Sequence, residues 1–184
     1  MLDANHGYDT VDAIKLGQQV EELDIGWFEE PVAPEDLDGY CAIKAAINIP
    51  LAGGECEYTR FGFREILRRR AIDYLQPDTA AAGGLSECKK IADMANAFGV
   101  RYVPHVWGSG IGLAAALQLL AVLPHNPPGR RPWEPLLEFD RSEHPFRQAI
   151  MKKPIEHANG VVTSPDGPGL GIEIDRDALE SFKN

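Results

Sequence analysis

Long hydrophobic runs, basic residues and cysteines are all scarce in this sequence, and each scarcity closes off a class of function. The longest apolar stretch, Ile111 to Leu123, is broken by Gly112 and Gln118 and falls short of the ~20 apolar residues that span a bilayer. It reads as a buried helix, and no membrane partner is expected. The opening Met1-Leu2-Asp3-Ala4-Asn5-His6 has no basic segment ahead of an apolar one, so no secretory leader is expected. Lys and Arg number 18 against 28 Asp and Glu, a formal net charge of −10. Such a field repels phosphate backbones and anionic lipids, and nucleic acid is not an expected partner. Small acidic substrates stay open, because a metal ion and a few local cations can reverse the mean field at a site. Cys41, Cys56 and Cys88 form no C-x-x-C pair and no zinc-like spacing with the histidines, which predicts a reduced, cytoplasmic setting.

The 44% hydrophobic and 25% charged residues present are ordinary for a globular domain. Short apolar runs alternate with helical stretches from Leu2 to Phe139, the pattern of βα units around a parallel sheet. Candidate strands are Met1-Leu2-Asp3, Gly26 to Glu29, Leu51-Ala52-Gly53, Tyr74-Leu75-Gln76, Arg101 to Pro104 and Leu136 to Phe139. Helical patterns run from Thr10 to Leu23, Pro34 to Ile47, Phe61 to Arg70, Ser86 to Phe98 and Gly110 to Leu123. In the fourth of these, Ile91, Met94, Ala95 and Phe98 share a face and Gly99 supplies the stop. The helix from Pro34 is expected to start on Pro34-Glu35-Asp36, a proline and two acids suited to a helix N-terminus.

An eight-stranded barrel takes about 250 residues. The expected fold is therefore α/β, a partial (β/α)8 barrel holding roughly strands 3 to 8, with the barrel portion at residues 1–140 and a turn-rich tail at residues 141–184. An open barrel edge exposes unpaired backbone, so a homo-oligomer is expected.

Three carboxylates stand at the ends of successive candidate strands: Asp3, Glu29 and Glu55. Strand ends of such a barrel share one face, and three hard oxygen ligands there suit Mg²⁺. Strand-end acids also cap helices, but three in succession favour a shared ion. The next two strands end in Asp78 and His105, a carboxylate and an imidazole able to pair as a general acid/base. Asn5, two residues beyond Asp3, is placed to contact a substrate oxygen or to serve a turn. His6 is left out of the ligand set. Trp107 either closes over a substrate or packs the rim, and Glu57 is read as a loop charge.

Asp3-Ala4-Asn5, Trp27-Phe28-Glu29-Glu30-Pro31, Gly53-Gly54-Glu55, Gln76-Pro77-Asp78, Ala82-Gly83-Gly84 and Pro104-His105 follow in the order seen in the mandelate racemase and muconate lactonising group of the enolase superfamily. The chain resembles that group along nearly its whole length. The resemblance implies Mg²⁺ on Asp3, Glu29 and Glu55, an Asp78–His105 dyad, and Glu138 as hydrogen-bond partner of a substrate carboxylate. It also implies an acid-sugar substrate and abstraction of the proton α to its carboxylate through a metal-stabilised enolate, the chemistry that members of this superfamily share. A cycloisomerase opening a lactone to a 3-deoxy-2-oxo acid is the first expectation, and an acid-sugar dehydratase or racemase the second. The group's first barrel strands, its Lys-x-Lys or Lys-x-His base and its N-terminal capping domain have no counterpart here. An inactive fragment needing a partner is thus the expectation from a different class, and the tail is expected to join the cap.

Overall fold

The computed structural model describes residues 1–123 and 131–183. Strands β1 (Leu2–Asp3), β2 (Phe28–Glu29), β3 (Leu51–Gly53), β4 (Tyr74–Leu75) and β5 (Arg101–Tyr102) form one parallel sheet in sequential order. Parallel neighbours require crossover connections. Helices α1 (Thr10–Val20), α2 (Leu37–Ala46), α3 (Thr59–Arg69) and α4 (Gly84–Phe98) supply them, and α5 (Gly110–Ala121) follows β5. This is the α/β architecture of a partial (β/α) barrel. Among the described residues no helix is long and apolar enough to cross a membrane.

Side chains alternate across a strand, and that alternation decides what the sheet does on each side. Phe28, Leu51, Leu75 and Tyr102 join Ile43, Phe63, Leu67 and Ile91 of the helices in the main core. Trp27, Ala52 and Val103, with Tyr74 against them, form a separate small cluster. Glu29 lies two residues after Trp27, so it shares the Trp27 side, and Asp3 is in register with Glu29. Two of the strand-end acids are thereby turned away from the helices.

Two expectations are corrected. The second helix begins at Leu37 rather than Pro34. Asp36 accepts a hydrogen bond from the Gly39 amide at 2.9 Å and so acts as the N-cap, while the Asp36 amide closes a turn onto the Ala33 carbonyl at 2.9 Å. The segment Leu136 to Phe139 joins no strand ladder among the described residues. Apolar alternation reports burial, not backbone pairing. This segment is held instead by its side chains: Leu137 packs against the main core and against a second cluster around Leu113 and Ile150, and Glu138 receives the Val106 amide at 2.8 Å.

Beyond it come α6 (Pro145–Ala149), an antiparallel hairpin of β6 (His157–Ala158) and β7 (Val161–Val162), and α7 (Arg176–Ser181). Ile150, Met151 and Ile155 of this region pack on Leu113 and Leu117 of α5. Buried Arg147 donates to the carbonyls of Gly108 at 3.1 Å and Ser142 at 2.9 Å and pairs with Asp140. That one guanidinium ties α6 to the loop after β5 and to the segment after Phe139.

Candidate active site

The ends of the strands open on a cavity of about 540 Å³ lined by Asp3, Glu29, Glu55, His105 and Glu138, together with Asn5 and Trp107. Asp78 stands behind them, against His105. Each side chain arrives by a different local device. Asp3 ends β1 and accepts from the Asn5 amide at 2.9 Å. Buried Glu29 ends β2, and the Trp27 indole N–H donates to its Oε2 at 2.8 Å. Glu55 follows β3 through Gly53-Gly54, where Gly54 has φ +118° and a Cβ would stand 2.9 Å from the Phe63 ring. Only glycine fits that bend.

Asp78 and His105 form an isolated parallel bridge past the ends of β4 and β5, which sets the two residues side by side. His105 Nδ1–H donates to Asp78 Oδ2 at 2.8 Å, while the Ala80 and Ala81 amides donate to Oδ1 at 2.7 and 3.1 Å. The carboxylate is held on both oxygens and in turn fixes the imidazole tautomer. His105 Nε2 is left facing Glu55 at 3.5 Å and Glu138 at 3.9 Å.

A family model described as enolase C-terminal domain-like matches residues 1–178. The chain belongs to the enolase superfamily. It is 54% identical over 183 residues to the D-galactarolactone cycloisomerase of Agrobacterium fabrum, covering 100% of this chain and 48% of that one. It is 37% identical over 182 residues to the arabinonate dehydratase of Saccharolobus solfataricus, covering 99% and 46%. Among solved structures, the 3,6-anhydro-D-galactonate cycloisomerase of Zobellia galactanivorans superposes with a TM-score of 0.90 at 43% identity, covering 99% of this chain and 49% of that one. The chain thus spans about half the length of the curated relatives it matches.

In this superfamily member the cavity is electrostatically loaded. Burial opposes a charged imidazole, yet the Asp78 hydrogen bond and the charges of Glu55 and Glu138 outweigh it and raise His105 from 6.5 to about 9. Burial, helped by the charge of Glu29 against the Val106 hydrogen bond, lifts Glu138 from 4.5 to about 7. Burial likewise raises Glu55, assisted by Glu29 and Asp3. For Asp78, burial is outweighed by the bonds from His105 and the Ala80 amide, which hold its carboxyl below the usual range.

A raised pKa means that the folded state binds its proton more tightly than the unfolded chain. The contribution of His105 is therefore complete below about pH 6.5 and lost as pH rises through about 9, and that of Glu138 is lost between about 4.5 and 7. We expect the urea midpoint in EDTA to fall steadily from pH 5 to pH 9.5. Burial also raises Glu30 to about 8, so in His105→Asn it is the part of the fall above about pH 8 that should flatten, which denaturation curves at five pH values would show.

The donor set fits a hard divalent cation: three carboxylates of three adjacent strand tips on one cavity. Among the described residues, however, these three do not bring ligand oxygens within 4.8 Å of one another as a group. Uncompensated carboxylates repel, and rotation about their side-chain bonds is the freedom that closes such a gap.

Asn5 sits in a turn with φ 44° and also lines the cavity. Trp107 is 66% exposed, its ring edge-on to His144 at 6.0 Å, rather than packed into the rim. Glu57 lies outside the cavity and accepts from the Tyr58 amide at 2.7 Å. Sequence reasoning passed over Trp27, whose place two residues before Glu29 on one strand was the available signal. It also gave no role to Arg147, whose partners include Gly108, 39 residues away.

Proposed function

We propose that this site removes the proton α to the carboxylate of an acid-sugar lactone, and that the reaction is a cycloisomerisation giving a 3-deoxy-2-oxo acid. The observation that carries the reading is the oriented Asp78–His105 pair facing the strand-end carboxylates across one cavity. The 54% identity to a D-galactarolactone cycloisomerase supports the substrate class.

Asp3, Glu29 and Glu55 would hold Mg²⁺, which supplies positive charge where negative charge grows on the substrate carboxylate as the enolate forms. His105 exchanges a proton with the substrate through Nε2, while Asp78 keeps Nδ1 protonated and stabilises the imidazolium. The Cα–H electron pair becomes the enolate double bond. The Cβ–O bond then breaks, its electron pair leaving on the lactone carboxylate, and the enol takes a proton at the former β carbon. Glu138 in its protonated form donates a hydrogen bond to the substrate carboxylate, and burial favours that form. Asn5 and Trp107 contact the sugar oxygens and close the cavity.

Residues 141–184 act as a tail that packs on the barrel portion, residues 1–140, and on a capping domain, and the working form is a cytoplasmic homo-oligomer. A second reading, an acid-sugar dehydratase, is favoured by the 37% identity to an arabinonate dehydratase. The two share the first step and differ in the leaving group. Product analysis with galactarolactone and with open galactarate separates them: 2-oxo acid from the lactone supports cycloisomerisation, and 2-oxo acid from the open diacid alone overturns it.

A further inference from the structure

Each of the strand tips that carries a cavity carboxylate also sends a second donor elsewhere. His6 lies three residues after Asp3, Glu30 directly after Glu29, and Cys56 directly after Glu55. None of the three lines the cavity. They meet one another instead: His6 Nε2 stands 2.9 Å from Glu30 Oε2 and 3.7 Å from Cys56 Sγ. All three ligand atoms lie within 4.8 Å of one another, the one such trio among the described residues.

Glu30 is the observation that points to a ligand. It is 1% exposed, and neither carboxylate oxygen takes a hydrogen bond of good geometry, the His6 contact included. A buried carboxyl whose close side-chain neighbour is His6, with no well-aligned hydrogen bond on either oxygen, is a costly group that a bound cation would satisfy. The backbone is bent to make the meeting: Asn5, His6 and Glu30 have φ of 44°, 62° and 39°, and the His6 amide donates to the Glu30 carbonyl at 2.8 Å. Left-handed non-glycine residues are retained where surrounding structure or function holds them. His6 Nδ1 makes no hydrogen bond, so the ring proton can reside there and leave the Nε2 lone pair free.

We propose that His6, Glu30 and Cys56 form a second cation site, selective for zinc, that clamps the tips of β1, β2 and β3 beside the cavity. The donors are one imidazole nitrogen, one carboxylate and one thiolate, the set that zinc accepts and magnesium does not. With Zn–N of about 2.0 Å and Zn–S of about 2.3 Å, tetrahedral ligand atoms stand roughly 3.3 to 3.7 Å apart, close to the spacing found. Exposed Cys56 leaves the fourth position to water and gives the ion a way in. The two sites would share strand tips but not ligands, so hard and borderline ions sort between them.

The test is a zinc titration of the full chain against a chromophoric chelator in excess Mg²⁺, with cobalt substitution as the second readout. The parent and Glu29→Gln are expected to bind about one zinc each, and Cys56→Ser to lose affinity by about tenfold or more. Cobalt in the parent should give a thiolate charge-transfer band that Cys56→Ser lacks. Equal zinc affinity in parent and Cys56→Ser, loss of zinc in Glu29→Gln alone, or no zinc bound by the parent would each overturn the proposal. Because Glu29→Gln removes the cavity's own ligand, failure of the cavity assignment and failure of this site read differently.

Discussion

Replacing His105 with asparagine is expected to slow α-proton exchange of the substrate by about 10²- to 10⁴-fold, the range that a positioned general acid/base contributes. Magnesium affinity should stay within a few-fold, because His105 is not in the proposed ligand set. Asparagine retains an N–H donor that can face Asp78 but cannot carry a proton between substrate and solvent. Asp78→Asn is the informative companion. It keeps the imidazole while removing the charge that orients it and raises its pKa, so its pH profile should move to lower pH where that of His105→Asn merely flattens. Deuterium incorporation followed by NMR measures both. An unshifted profile in Asp78→Asn would remove Asp78 from the dyad.

Phe63→Ala is expected to destabilise the fold by about 3–5 kcal/mol, the cost of removing a fully buried aromatic ring and leaving part of its volume empty. Phe63 on α3 is completely buried in the main core. Its ring also lies against Gly54, where a Cβ would stand 2.9 Å away. The cavity left by the truncation would therefore open directly under the bend that aims Glu55. Phe61, two residues earlier and 62% exposed beneath the Arg60 guanidinium, is the control. Its truncation should cost no more than about 0.5 kcal/mol. Urea denaturation measures both, with the midpoint shifting at constant slope.

The parts of the site that could be read from sequence are those fixed by period-2 geometry and chain order. Glu29 follows Trp27 on one face of one strand, and Asp78 and His105 end consecutive strands, so their convergence needed only the βα rhythm. What could not be read depends on side chains meeting across elements. The Gly54 bend owes its necessity to Phe63 on another element, and the pairing of His6 with Glu30 and Cys56 joins residues with no recognisable spacing. Leu136 to Phe139 looked like a strand because three of its four residues are apolar, yet its backbone joins no strand ladder among the described residues, and Glu138 reaches the cavity while accepting the Val106 amide. The Pro34 start failed for a related reason: proline and Asp36 both suit a helix N-terminus, and only the Asp36 to Gly39 hydrogen bond decides between them.

The central claim is that Asp3, Glu29 and Glu55 share a divalent cation. Isothermal titration of Mg²⁺ into the purified chain, with Glu29→Gln beside it, tests that most directly. Saturable binding of about one ion per chain, abolished in Glu29→Gln while its circular dichroism is unchanged, is the predicted result. Binding of equal strength in both proteins, or none in the folded parent, would contradict it.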